Sequence, residues 1–191
     1  MNNKQIIDIF KKTNALLDGH FILTSGRHSA TYFQCAKVLQ YPEYLTAFSI
    51  LIADEFENLK PDVIISPAIG GIVLSTEVGT QLGCRTIFSE RQDGEMVIRR
   101  GFEIEPDENV LVVEDVITTG GSVKEIMDLV ISSGGNIIGV GVLVDRSNGK
   151  ANLHPKQFSI IELEAVSYEE SEIPEDLALI PIQKPGSRFL K

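Results

Sequence analysis

Cysteine is scarce in this chain. The two present in 191 residues, Cys35 and Cys84, give no disulfide framework, and buried thiols in a reducing compartment are the default for such a pair. Histidine is equally sparse, at three. His20, His28 and His154 form no cluster with the cysteines at metal-ligand spacing, so zinc is not supported. His28 has no neighbouring Ser, Cys or acid set as a triad and reads as a solvated surface histidine. No apolar run approaches the ~20 residues of a membrane span, and the opening MNNKQIIDIF lacks a secretory pattern, so a cytoplasmic protein is expected. Positive charge is also short. Seventeen Lys and Arg against 27 Asp and Glu leave a net charge of −10, which argues against general nucleic-acid or anionic-membrane binding.

What is there suits a globular domain: 43% hydrophobic and 23% charged residues at a length that allows one full core, or a core with a small subdomain. The N-terminal stretch predicts a helix from Asn3 to Leu17, with Ile6, Phe10 and Leu17 on one side and Gly19 as its stop. Phe21 to Gln34 alternates and carries turn residues, giving two short strands around Ser25-Gly26. Tyr41 to Leu59 predicts a long helix with Leu45, Phe48, Ile52 and Phe56 on its buried stripe. Strand and helix then alternate, which predicts a parallel sheet with both faces covered. Its strands are Val63 to Ser66, Thr86 to Ser89, Val110 to Val113, Ile137 to Val144 and Phe158 to Leu163. Helices are expected at Gly71 to Leu82 and Val123 to Ser132, with a short one near Ser147 to Leu153. The Pro-rich, acidic tail from Ser171 is expected to pack with the N-terminal segment.

The chain is organised around NVLVVEDVITTGGS, Asn109 to Ser122. A continuous apolar run, Val110 to Val113, is the signature of a strand buried on both faces. The acids Glu114 and Asp115 follow, then the small-residue turn Thr118-Thr119-Gly120-Gly121-Ser122. Val123, Ile126, Met127, Val130 and Ile131 then recur at helical spacing, with Ser122 and Glu125 spaced as a capping box. A turn between a strand's end and a helix N-terminus offers free N–H groups and the positive end of the helix dipole to a phosphate. Two carboxylates beside that cradle serve either the vicinal hydroxyls of the same ligand or a divalent cation. Phosphate and diol together describe a ribose 5-phosphate. The Lys of a P-loop is missing, and a dinucleotide fingerprint places its acid after the glycines rather than before them.

Ligands of an open parallel sheet sit outside the C-terminal strand ends, and three more such ends stand out. Ser66 to Gly71, SPAIGG, is either a second backbone anion site or a helix entry with close backbone packing. Phe88 to Gly101, FSERQDGEMVIRRG, carries Arg91, Arg99 and Arg100 on a loop long enough for a lid or a disordered segment, with a solvated hairpin as the alternative. Gly141 to Gly149, GVLVDRSNG, places Arg146 after a buried strand, where its fork pairs with Asp145 or a surface acid, or recognises a planar carboxylate.

VEDVITTGGS resembles the phosphoribosyl-diphosphate signature of the type I phosphoribosyltransferases. LTSGRHS, Leu23 to Ser29, is similar to that family's base-capping segment, and Arg146 resembles the orotate-contacting arginine of its orotate-specific members. The resemblance spans roughly Gly19 to Arg146. It implies one α/β phosphoribosyltransferase domain over residues 1–191, a five-stranded parallel sheet flanked by helices, with a small hood from the first ~35 residues and the C-terminal tail. It implies transfer of ribose 5-phosphate from 5-phospho-α-D-ribose 1-diphosphate to orotate in pyrimidine synthesis. Asp115 and Arg91 would be catalytic. Glu114, Val116, Ile117, Thr119, Gly120, Gly121, Ser122 and Gly70 would hold the sugar diphosphate, and Thr118 and Arg146 the orotate. Mg²⁺ would arrive on the diphosphate with no direct protein ligand, and a homodimer is implied. The Ser66 to Gly71 loop of the family carries a strained peptide bond, and many members have Lys where this chain has Gly70. Several carry Lys where this chain has Thr24, and the common orotate-type lid is richer in Lys and has a His. Transfer to a purine or other base, or a non-catalytic sensor of the sugar diphosphate, are the rival readings.

Overall fold

The computed structural model describes residues 1–23, 25–164 and 166–183; Thr24 and the end of the tail, about which the sequence raised expectations, lie outside them. In chain order the elements are α1 (Asn3–Lys12), β1 (Leu16–Ile22), β2 (His28–Phe33), α2 (Ala36–Leu39), α3 (Pro42–Phe56), β3 (Val63–Pro67), α4 (Gly70–Leu82), β4 (Arg85–Gln92), β5 (Glu95–Ile98), β6 (Asn109–Ile117), α5 (Gly121–Ser132), β7 (Asn136–Asp145), β8 (Gln157–Glu162), α6 (Glu175–Ala178) and β9 (Ile182–Gln183). Two compact units result, Met1–Gln40 with Glu164–Lys191, and Tyr41–Leu163.

In the first unit, α1 stops at Lys12 rather than Leu17. Asn14 takes a left-handed φ of 55°, and the N–H groups of Asn14 and Ala15 reach back to the carbonyls of Lys11 and Phe10. That is a Schellman closure with Asn in the usual glycine place. Leu17 and Gly19 therefore belong to a strand, and β1 pairs antiparallel with β2 across the Ser25-Gly26 turn. β9 adds to β1 in parallel, so the described part of the tail packs against the N-terminal segment.

The second unit holds a six-stranded sheet in the order β5-β4-β3-β6-β7-β8. Its five strands β4-β3-β6-β7-β8 are parallel as expected, and β5 is an antiparallel addition at the edge. Val63, Ile65, Val110, Val112, Val140 and Val142 pack with Val123, Ile126 and Val130 of α5 on one face. On the other, Gly139 and Gly141 of β7 leave room for Phe56 and Ile52 of α3; a Cβ on Gly141 would stand 2.7 Å from Ile52 Cγ2. Each fully buried Ile, Leu or Val of this core contributes ~1.5–3 kcal/mol, so the layers hold the strand ends in register.

One local expectation fails here, and a second resolves to its hairpin alternative. The segment Ser147 to Leu153 is a turn, not a helix. The Asp145 carboxylate accepts the Ser147 N–H at 2.7 Å, Ser147 Oγ accepts the Ala151 N–H at 3.0 Å, and Asn148 and Gly149 both have positive φ. These local bonds satisfy the backbone without a helix. Phe88 to Gly101 is largely ordered into the β4–β5 hairpin. Its turn is Asp93-Gly94 with φ values of 54° and 94°, the left-handed pair a two-residue hairpin turn requires. Met96 of β5 is buried in the core under α5, which ties the hairpin down.

Candidate active site

Numbered among the parallel strands alone, the sheet order is 2-1-3-4-5, and the winding reverses between β3 and β6. An open α/β sheet has its ligand crevice at such a switch point, outside the carboxyl ends of the strands. The pairing of β3 with β6 is recorded from Val63↔Val110 only as far as Ile65↔Val112, whereas β6 continues beside β7 through Ile117↔Asp145. The stretch Glu114 to Ile117 is therefore still strand, longer than the apolar run predicted, and its β3 side opens where β3 turns away into α4. The Ser66 to Gly71 loop and the Thr118 to Ser122 loop leave from the two lips of this gap.

The Thr118 to Ser122 loop enters α5 through Gly120, whose φ of 74° and ψ of 11° are left-handed. A Cβ there would also stand 2.7 Å from Leu153 Cδ2, so glycine is required twice over. The expected Ser122–Glu125 capping box is absent. Helix α5 starts at Gly121, no side chain caps it, and Glu125 instead binds Arg91 at 2.7 Å. Because Gly120 holds the cap position, Ser122 already lies inside the first turn. Thr118, Thr119 and Gly121 are exposed and Ser122 half-buried. The first N–H groups of α5 thus face outward without a capping acceptor, apart from a long 3.4 Å contact from Gly121 N–H to Thr119 Oγ1. That is the arrangement that binds phosphate.

The acids stand between the two helix starts. Glu114 is buried at 7% exposure, and one of its oxygens accepts the Asp115 N–H at 3.0 Å. Asp115 is half-buried and accepts the Val116 N–H at 3.0 Å. Burial, and then the adjoining Asp115, hold the Glu114 carboxyl well above the ordinary glutamate range. Gly70 and Gly71, the first residues of α4, are approached by this pair. A Cβ on Gly71 would lie 3.2 Å from a Glu114 oxygen, and one on Gly70 would collide with the Asp115 carboxyl, whose carbon would be 2.8 Å away. The Ala68–Ile69 peptide just before them is cis.

Arg146 is half-buried at the end of β7, and its N–H donates to the Ile117 carbonyl at 2.8 Å, which sets it directly beside the end of β6. The three arginines of the β4–β5 region are paired. Arg91 bridges Glu125 and the Gly94 carbonyl at 2.7 and 2.6 Å, while Arg99 and Arg100 share Glu90 at 3.3 and 3.0 Å. The structure therefore brings Gly70 and Glu114 to Ser122 to one gap, sets Arg146 on the β7 side of the end of β6, and holds Arg91 at the first turns of α5 through Glu125.

In the first unit, His28 is not solvated. It is 6% exposed, His20 is 2% exposed, and His20 Nε2 meets His28 Nδ1 at 2.7 Å. His20 Nδ1 lies 3.1 Å from the Ile180 carbonyl, which only accepts, so His20 carries its proton there. Two histidines eight residues apart on paired strands were the available signal, and the register that joins them is tertiary. Arg27 of the same segment binds Ser167 Oγ and carbonyl at 2.8 and 2.7 Å and pairs with Glu169. Cys35 is buried and Cys84 half-buried, and burial pushes the Cys84 thiol upward.

Comparison with known proteins agrees with this geometry. The phosphoribosyl transferase domain family matches residues 36–177. An orotate phosphoribosyltransferase of Chlorobium phaeobacteroides (strain BS1) is 57% identical over 190 residues, covering 100% of this chain and 98% of that protein. Another, from Caldanaerobacter subterraneus subsp. tengcongensis, is 52% identical with full coverage of both chains. The crystal structure of orotate phosphoribosyltransferase from Aeropyrum pernix shares the fold, with a TM-score of 0.71 at 24% identity over 83% of this chain and 93% of that one. With a family match over most of its length and relatives of the same name aligned from end to end, the chain belongs to the phosphoribosyltransferase family, within its orotate phosphoribosyltransferases.

Proposed function

We propose that the protein transfers ribose 5-phosphate from 5-phospho-α-D-ribose 1-diphosphate to orotate, giving orotidine 5′-phosphate and diphosphate, a step of pyrimidine synthesis. One observation carries the reading: an acidic pair lies between two helix starts at the sheet's switch point. A sugar with phosphate groups at both ends and a diol between them matches that order of donors and acceptors.

The α5 N-terminus, with Thr119 to Ser122, anchors the 5-phosphate, and the Val116–Ile117 backbone lines its approach. Asp115 and Glu114 take the ribose hydroxyls. Burial and then the adjoining Asp115 raise the Glu114 carboxyl above the ordinary glutamate range. Gly70 offers its backbone to the diphosphate, and Arg146 with Thr118 takes the orotate carboxylate and ring. As diphosphate departs, positive charge grows on the ribose ring, and the acidic pair favours it in a site that needs no covalent nucleophile. Arg91 meets the leaving group once it exchanges Glu125 for phosphate oxygens.

Mg²⁺ carried by the diphosphate would supply further neutralisation. An ion of this kind keeps waters and phosphate oxygens and needs few protein ligands. The first unit, with Ser25 to Ser29, is the proposed hood of a single domain, and a cytoplasmic homodimer is the proposed setting. No helix among the described residues is long and apolar enough to cross a membrane.

The test is a panel of bases supplied with the sugar diphosphate and Mg²⁺. Loss of orotate absorbance with no turnover of adenine, guanine or hypoxanthine is the expected result. Turnover of a purine in preference to orotate refutes the assignment of the base.

A further inference from the structure

The chain leaves β7 through Asp145, Arg146 and Ser147, and burial along this stretch is uneven. Asp145 and Ser147 are each 6% exposed, while Arg146 between them is half-buried. The backbone of Asp145 is gripped from both sides. It stands in register with Ile117 and with Glu162, and its carbonyl accepts the Leu163 N–H at 2.8 Å. A carboxylate at that depth costs desolvation that an apolar residue avoids. What it provides is local: one oxygen accepts the Ser147 N–H at 2.7 Å, closing an Asx-turn around Arg146.

The N–H groups on either side of the Arg146 Cα are therefore both held. Its own donates to the Ile117 carbonyl at 2.8 Å, and the next donates to the Asp145 carboxylate. Because each peptide is planar, holding both N–H groups restrains φ and ψ of Arg146, and so the direction in which its side chain leaves the backbone. We infer that Asp145 is a positioning residue for Arg146: its carboxylate closes the turn from which that guanidinium reaches the base. An arginine stem has many rotamers, and a fixed root reduces the ordering needed when the fork grips a planar carboxylate. The inference rests on the reading of Arg146 as the residue that contacts orotate. Ser147 supplies an internal control. Its hydroxyl accepts the Ala151 N–H at 3.0 Å further along the loop, and Ser147→Ala removes that acceptor while keeping the N–H that Asp145 holds.

The experiment measures KM for orotate, KM for the sugar diphosphate and the melting midpoint in Asp145→Ala, Asp145→Asn, Ser147→Ala, Arg146→Ala and the Asp145→Ala, Arg146→Ala double variant. Asp145→Ala is expected to raise KM for orotate by roughly tenfold, the scale of one charge-assisted hydrogen bond lost, with KM for the sugar diphosphate nearly unchanged. Asp145→Asn keeps an oxygen that accepts the Ser147 N–H and should bring KM for orotate back to within about twofold of wild type. Ser147→Ala also leaves a buried N–H unpaired, so it should lower the midpoint as Asp145→Ala does, yet leave KM for orotate in place. On top of Arg146→Ala, loss of the Asp145 carboxylate should add no more than about twofold, since residues acting through one contact are not additive. If Asp145→Ala does not fold, Asp145→Ser replaces it; the shorter hydroxyl closes the turn more weakly, and a rise of about threefold is expected. An unmoved KM for orotate in the alanine or serine variant overturns the inference. So do an equal rise in Ser147→Ala, an asparagine variant as impaired as the alanine one, or fully multiplicative effects with Arg146→Ala. Normal orotate binding in Arg146→Ala instead removes the reading of Arg146 itself, and this inference with it.

Discussion

Gly120→Ala isolates what the phosphate loop demands of its backbone. The residue sits at φ 74° and ψ 11°, where a Cβ costs ~1–2 kcal/mol. The same Cβ stands 2.7 and 3.1 Å from the two δ-carbons of Leu153. Forced repacking of this kind costs ~1–3 kcal/mol, and the lower end applies because the atoms met are the ends of a half-buried side chain. The sum, about 2–3 kcal/mol, is less than the ~5–15 kcal/mol that keeps a domain folded, so the variant remains assayable. Urea denaturation should show the loss directly, and Leu153→Ala separates its parts. In that background Gly120→Ala should cost ~1 kcal/mol less, leaving only the dihedral share. The first N–H groups of α5 turn with the loop, so KM for the sugar diphosphate should rise by roughly tenfold for each charge-assisted hydrogen bond of ~1.5 kcal/mol lost. An unchanged urea midpoint refutes the whole argument, and an equal cost with and without Leu153 refutes its packing half.

Other variants probe the remaining groups. Arg146→Ala should raise KM for orotate by at least tenfold, the scale of a lost bidentate pair worth ~1.5–3 kcal/mol, and leave KM for the sugar diphosphate nearly unchanged; equal effects on both contradict its placement on the base. Arg91→Ala should slow turnover more than it weakens sugar binding, and wild-type rates clear it of a role at the leaving group. Glu114 carries a pH signature. Its folded value is raised well above the ordinary 4.5 by burial first and Asp115 second, so the folded state keeps a proton the unfolded chain has released. Its contribution is full below the ordinary range and is lost as pH rises toward the raised value, at up to ~1.4 kcal/mol per pH unit. Glu114→Gln should remove that slope when urea midpoints of both proteins are compared from about pH 4 to 8; parallel curves refute it.

Much of the fold was legible in order of residues alone. The alternation of apolar strands and amphipathic helices after Val63 specifies a parallel sheet, because a strand buried on both faces and a helix with one apolar stripe leave few other ways to cover both. The stretch Asn109 to Ser122 announces its chemistry locally, since the acids, small residues and helix start are contiguous. Some local signals were present and outweighed: Asn14 closing α1 and the Asp93-Gly94 turn are both written in the chain, yet a longer helix and an unstructured lid matched the surrounding composition as well.

Tertiary structure decided the rest. The reversal of winding between β3 and β6 that opens the crevice is a matter of which strands neighbour one another, and single-strand periodicity carries no such information. Burial of His20 with His28, the Arg91–Glu125 pair, and the approach of Asp115 to Gly70 join residues 8, 34 and 45 positions apart. A sequence names the residues that attract or exclude a phosphate. The distance between them exists only once long-range register has brought the strand ends together.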